Sequence, residues 1–173
     1  RMFSLNGTNN NLELTTFSLS SPFNTSITPT QIHTVDLSTI GIDLVDGEDS
    51  EGTDVEFNDN GSEMFISIFN GEALVLDRIH QFSLGKNYDV STANHQGSYE
   101  VQAVGRDNNE GRIEGFSFSS DGMKLFTTQS FTKQAVDNIY QYDLQCPYGI
   151  VKCSSETSSS IEAQVELAKQ NIS

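Results

Sequence analysis

Apolar and polar residues alternate along this chain in short runs, and the runs recur at a nearly constant interval. Leu14 to Leu19, Ile79 to Leu84 and Ile139 to Leu144 match one another. Gln31 to Leu37, Ser98 to Val104 and Ser160 to Glu166 form a second matched set. Each run is rich in aromatic and β-branched residues with a period of two, which predicts half-buried strands. Upstream of these lies the strongest repeat, Phe-x-x-(Asp/Asn)-Gly-x-x-(Met/Leu)-Phe, at Phe57 to Phe65 and again at Phe118 to Phe126. Arg1-Met2-Phe3 matches its last three positions, so Phe3, Phe65 and Phe126 stand 62 and 61 residues apart. A repeat of that length means one supersecondary unit copied along the chain.

Asn60-Gly61 and Asp121-Gly122 fall inside this Phe-to-Phe motif, between its first and second strands, where such dipeptides supply the positive φ of a tight hairpin. The unit therefore reads as four strands, A to D, in about 60 residues, which is the pattern of tandem four-stranded antiparallel blades. The expected fold is all-β, of β-propeller type, with units at 1–51, 52–110 and 111–173. The first unit lacks its strand A, because Arg1 falls where strand B begins. That leaves an unpaired sheet edge, which invites another strand. Either the missing strand lies upstream in a longer chain, or the subunit completes its sheet with a neighbour. Residues 161–170 have helix-forming composition, yet Ser160 to Glu166 aligns with strand D, and a strand is expected there.

The run Phe116 to Phe126 resembles the "FSPDGxxLYV" blades of YVTN-type and Tol-translocation-type propellers. Asn138 to Leu144 and Tyr88 to Ala93 are similar to the long "VYQYDLSTPWDVSTA" repeats of marine bacterial surface proteins. Cys146 to Gln170 resembles the passage joining a repeat passenger to a membrane-anchoring segment in some of those proteins. The resemblance implies an extracellular repeat protein with blades whose strand A lies innermost. It implies little about ligand, since propellers host many unrelated functions.

Eleven Phe, five Tyr and no Trp suit packing between sheets. A net charge of −15, from 24 acidic and 9 basic residues, disfavours nucleic acid and anionic membranes as partners. No apolar run reaches the length of a membrane span. Cys146 and Cys153 lack His or Cys neighbours at zinc-ligand spacing and are expected to form a disulfide, which implies an oxidising compartment.

Candidate chemistry is sparse. Asp46, Glu48, Asp49, Glu51 and Asp54 make an oxygen-rich loop that could hold a structural Ca²⁺, although the spacing is not that of an EF-hand; a solvated acidic loop is the plainer reading. Asn6, Asn24, Asn60 and Asn171 begin Asn-x-Ser/Thr triplets, which are acceptable glycan sites if the chain is secreted. Tyr88, Tyr148 and Phe23 recur at one loop end, either as packing residues or as part of a carbohydrate-binding face. His33, His80 and His95 are scattered, and Gly-x-Ser-x-Gly is absent. No catalytic residue and no cofactor is assigned. The expectation is a non-enzymatic surface protein with a structural or adhesive role, partnered by further blades or other copies of itself. A glycan- or protein-binding propeller module is the alternative reading, and a propeller enzyme with its active residues in further blades is the remote one.

Overall fold

A computed structural model describes residues 1–7, 11–22, 24, 26–42, 50–69, 77–101, 111–131, 138–151, 153 and 166–168. The first sheet has three strands in the order β1 (Met2–Asn6), β2 (Glu13–Ser18), β3 (Thr30–Asp36). The middle sheet runs β4 (Glu51–Phe57), β5 (Glu63–Phe69), β6 (Arg78–Leu84), β7 (Ala93–Glu100). The third runs β8 (Gly111–Phe118), β9 (Lys124–Phe131), β10 (Asn138–Asp143), β11 (Glu166–Ala168). All pairings are antiparallel between strands consecutive in sequence. The protein is thus all-β, and its described residues form three antiparallel sheets of three, four and four strands, the first made of the runs that align with B, C and D.

The hairpins form where the dipeptides stand, but only one residue of each carries the left-handed backbone. Gly61 has φ 70° and Gly122 has φ 69°. The Asn60 and Asp121 side chains instead accept from the backbone N–H of Ser62 and Met123, at 2.8 and 3.0 Å. Asn58 N–H bonds to Glu63 O and Ser119 N–H to Lys124 O, so each loop is four residues long rather than two. Strand D of the middle sheet also departs from expectation, at 93–100 in place of 98–104. A register shift at Gln81/Phe82, opposite Gly97 with φ 138°, kinks the ladder there. In the third sheet β11 pairs with β10, while the rest of 161–170 lies outside the described residues.

Alternation along β5 explains how the sheets stack. Met64, Ile66 and Ile68 join Leu12, Leu14, Leu37, Phe82 and Leu84 in a core between the first and middle sheets. Phe65 points the other way, joining Ile79, Ile113, Phe116, Leu125 and Tyr142 between the middle and third sheets. The middle sheet is covered on both faces, and six of the seven β5 residues are buried. β1 packs against β4, and both β4 and β5 pack against β8. On the third sheet Ile139 alternates out of the core formed by Tyr140 and Tyr142 and is 47% exposed.

Candidate assembly surface

Each sheet-to-sheet junction is built around three rings in tilted contact. Phe3 of β1 lies 4.5 Å from Phe57 of β4, which lies 5.5 Å from Tyr88. Phe65 of β5 lies 4.7 Å from Phe118 of β8, which lies 5.2 Å from Tyr148. Tyr88 and Tyr148 share an unusual backbone, with φ of 58° and 60°. A tyrosine in the left-handed region is disfavoured by roughly 1–2 kcal/mol, so the surroundings must hold it. Each Tyr N–H bonds to the turn glycine's carbonyl, Gly61 or Gly122, at 2.8 Å. Each ring then covers that glycine so closely that an added Cβ would sit 2.4 or 2.5 Å from it. The Tyr88 hydroxyl also donates to Asp59 O at 2.9 Å. Burial and the adjacent Asp59 carboxylate raise the Tyr148 phenol above its ordinary pKa. Both rings are engaged in holding the turn that feeds strand B. Phe23 lies outside the described residues.

Carboxylates on β4 link the middle sheet to the third. Asp54 accepts from Val55 N–H through one oxygen (2.8 Å) and from Phe116 N–H through the other (3.2 Å). Glu56 accepts from Phe118 N–H at 3.3 Å. Its pKa is raised chiefly by burial, against the lowering effect of hydrogen bonds from Ser117 and Phe118. Asp77 accepts from Ile113 N–H at 2.8 Å. Glu51 pairs with Arg112 at 2.5 Å, and that guanidinium lies over the Phe69 ring. Of the five residues weighed for Ca²⁺, Glu51 and Asp54 therefore bond to β8, and Asp46, Glu48 and Asp49 lie outside the described residues. Among the described residues no group of three His, Cys, Asp or Glu side chains gathers as a metal site.

Cys146 and Cys153 form a disulfide, Cα to Cα 5.8 Å, that brackets the turn carrying Tyr148. Such bonds persist in oxidising compartments. Among the described residues no helix is long and apolar enough to cross a membrane. Asn6 is exposed at the end of β1 and accepts from the Ser4 hydroxyl. Asn60 is exposed in its turn, and Asn24 accepts from Ser26 N–H at 3.0 Å. Asn171 lies outside the described residues.

The alternating pattern gave no sign of a histidine pair. His80 Nδ1 and His95 Nε2 are 3.1 Å apart, His80 is 5% exposed, and His95 lies against Gly41 of the first sheet's closing turn. Burial, with the charges of His95 and Arg78, pushes His80 down to about 3. The pairing joins β6 to β7, and only a strand register that anticipated the shift at Gln81/Phe82 would have brought the two rings together.

No family model, curated protein or solved structure matches this chain.

Proposed function

We propose that the three sheets are β-propeller-type blades and that the protein is a non-enzymatic, extracellular structural or adhesive component that assembles head to tail. The observation that carries this reading is the duplicated junction. The same Phe–Phe–Tyr stack joins first to middle and middle to third sheet, at offsets of 62, 61 and 60 residues. A junction that occurs twice along the chain could recur between the third sheet and another unit. On the third sheet the residue equivalent to Phe65 is Phe126, half-buried, and the equivalent of buried Ile79 is exposed Ile139. Contacts of this heterologous kind close into rings or continue as filaments. The disulfide supports an oxidising setting, and the net charge of −15 favours solubility there.

The test is sedimentation together with negative-stain imaging over a range of protein concentrations. Ordered oligomers that grow with concentration, and that Ile139→Lys abolishes without lowering the melting temperature, are expected. Isolated monomers at high concentration would remove the proposal.

A further inference from the structure

The leading edges of the three sheets differ in what covers their amides. In an antiparallel ladder, successive residues turn N–H and C=O to alternate sides. The Asn58–Glu63 and Ser119–Lys124 bonds set that parity, so Val55 and Phe57 of β4, and Phe116 and Phe118 of β8, face the edge. Three of these four amides are taken by carboxylates: Phe116 and Val55 by Asp54, and Phe118 by Glu56. A covered edge of this kind resists addition of a further strand.

β1 is different. The bond from Leu37 N–H to Leu12 O fixes the parity of the first sheet and turns the amides of Phe3 and Leu5 outward. Among the described residues no side chain takes them. Ser4 donates to Asn6, and the Arg1 guanidinium reaches away to the Tyr88 carbonyl. The β1 edge carries no carboxylate and is continuous with a junction already built, since Phe3 lies against Phe57 and Leu5 packs against Gly52.

We infer that the β1 edge accepts one extended strand from outside residues 1–173, and that this strand has the chemistry of β4: two carboxylates one residue apart, then phenylalanine. The register follows from the middle sheet. There Phe57 lies opposite Met64, Glu56 opposite Phe65, and Asp54 opposite Ser67. Transferred to the first sheet, the added strand's phenylalanine lies opposite Met2 and its carboxylate residues lie opposite Phe3 and Leu5. The added strand's second carboxylate then faces β4 and takes the outward amide of Phe57, as Glu56 takes that of Phe118. Main-chain bonds give such an addition its affinity and alternate side chains its selectivity. The inference rests on the assembly reading only in treating the edge as used.

The probe is a synthetic peptide with the sequence of residues 51–60, added to the intact chain. Saturable binding is expected, with amide exchange at Phe3 and Leu5 slowed by about tenfold or more at saturation. Methylating the peptide nitrogens at the positions of Asp54 and Glu56 is expected to abolish binding, because those N–H groups pair with Phe3 and Leu5. Replacing the two carboxylates by amides is expected to weaken it. No binding at millimolar peptide, equal binding of the methylated or a scrambled peptide, or protection away from β1 would overturn the inference. Filaments formed by a chain that ignores the peptide would remove this site and leave the assembly proposal. Peptide binding by a chain that stays monomeric would do the reverse.

Discussion

Between the first and middle sheets the ring of Phe57 lies between Phe3 and Tyr88; between the middle and third sheets Phe118 lies in the same way between Phe65 and Tyr148. Around these equal stacks the two junctions diverge. The first is completed by aliphatic side chains, Leu12, Leu14, Ile66 and Ile68 among them. The second adds Tyr140 and Tyr142 and is crossed by polar bonds from Asp54, Glu56, Asp77 and Gln81 to backbone N–H groups of the third sheet. The aromatic stack is what the repeat conserves within the chain, and it specifies the stacking. The Asp54 and Glu56 links join β4 to β8, and among the described residues the first sheet has no equivalent strand.

The largest expected effect removes a ring from one stack. Phe65 is fully buried, whereas its counterpart Phe3 is only partly so. Phe65→Ala should cost about 3–5 kcal/mol, and Phe3→Ala distinctly less, in denaturant unfolding. Equal losses would mean that the two junctions do not differ in burial as described.

Next comes the disulfide, which only the third sheet has. Closing an eight-residue loop contributes about 2.5 kcal/mol on the chain-entropy account. Replacing Cys146 and Cys153 by Ser should lower stability by about that much. Exchange at the Tyr148 amide should quicken and exchange at Tyr88 should not, since a Lys86–Asp89 ion pair spans the corresponding turn. Equal acceleration at both amides would contradict this.

The turn glycines test the feature shared by both junctions. Gly61→Ala and Gly122→Ala each force a Cβ into a left-handed position under a tyrosine ring and should each cost about 2 kcal/mol. A large effect at one and none at the other would break the equivalence.

Acidification should act on the first junction before the second. The His80 imidazole titrates near 3 in the fold and near the ordinary 6.5 when unfolded. The folded chain therefore refuses a proton that the unfolded chain accepts. Stability is complete above pH 6.5 and is lost as pH falls toward 3, by about 1–2 kcal/mol between pH 7 and 5. Glu56 and Glu63, raised chiefly by burial, act in the opposite sense, since they hold protons in the fold and gain stability as pH drops through the carboxylate range. His80→Tyr, which copies buried Tyr140 of the third sheet, should flatten the loss of melting temperature between pH 7 and 5. An unchanged profile would sink the assignment.

The smallest effect is at Asp54. Asp54→Asn keeps the shape but weakens the bond to Phe116 N–H, at about 1 kcal/mol. Hydrogen exchange should quicken at Phe116 of β8 and at Val55, whose N–H the same carboxylate accepts.

Strand order and the shortened first sheet were legible because apolar residues alternate and the Phe-x-x-(Asp/Asn)-Gly motif fixes the hairpins. Boundaries were less so. Ser98 to Val104 aligned by composition, yet the ladder at Gly97 moved the strand five residues upstream. The positive φ of Tyr88 and Tyr148 was hidden, since tyrosine rarely takes that backbone and only contact with a glycine some 26 residues earlier holds it there. Asp54 was visible as part of an acidic cluster and Glu56 was not, and their acceptance of β8 amides depends on how two edges face one another across sheets. Periodicity within one strand carries no information about that.

The central claim is that one ring-on-ring junction occurs twice. Selective labelling of phenylalanine and measurement of ring-to-ring nuclear Overhauser contacts in solution tests it most directly. Contacts are expected between Phe3 and Phe57 and between Phe65 and Phe118, and none between Phe3 and Phe118. Absence of either predicted pair, or contacts from Phe3 to Phe118, would contradict it.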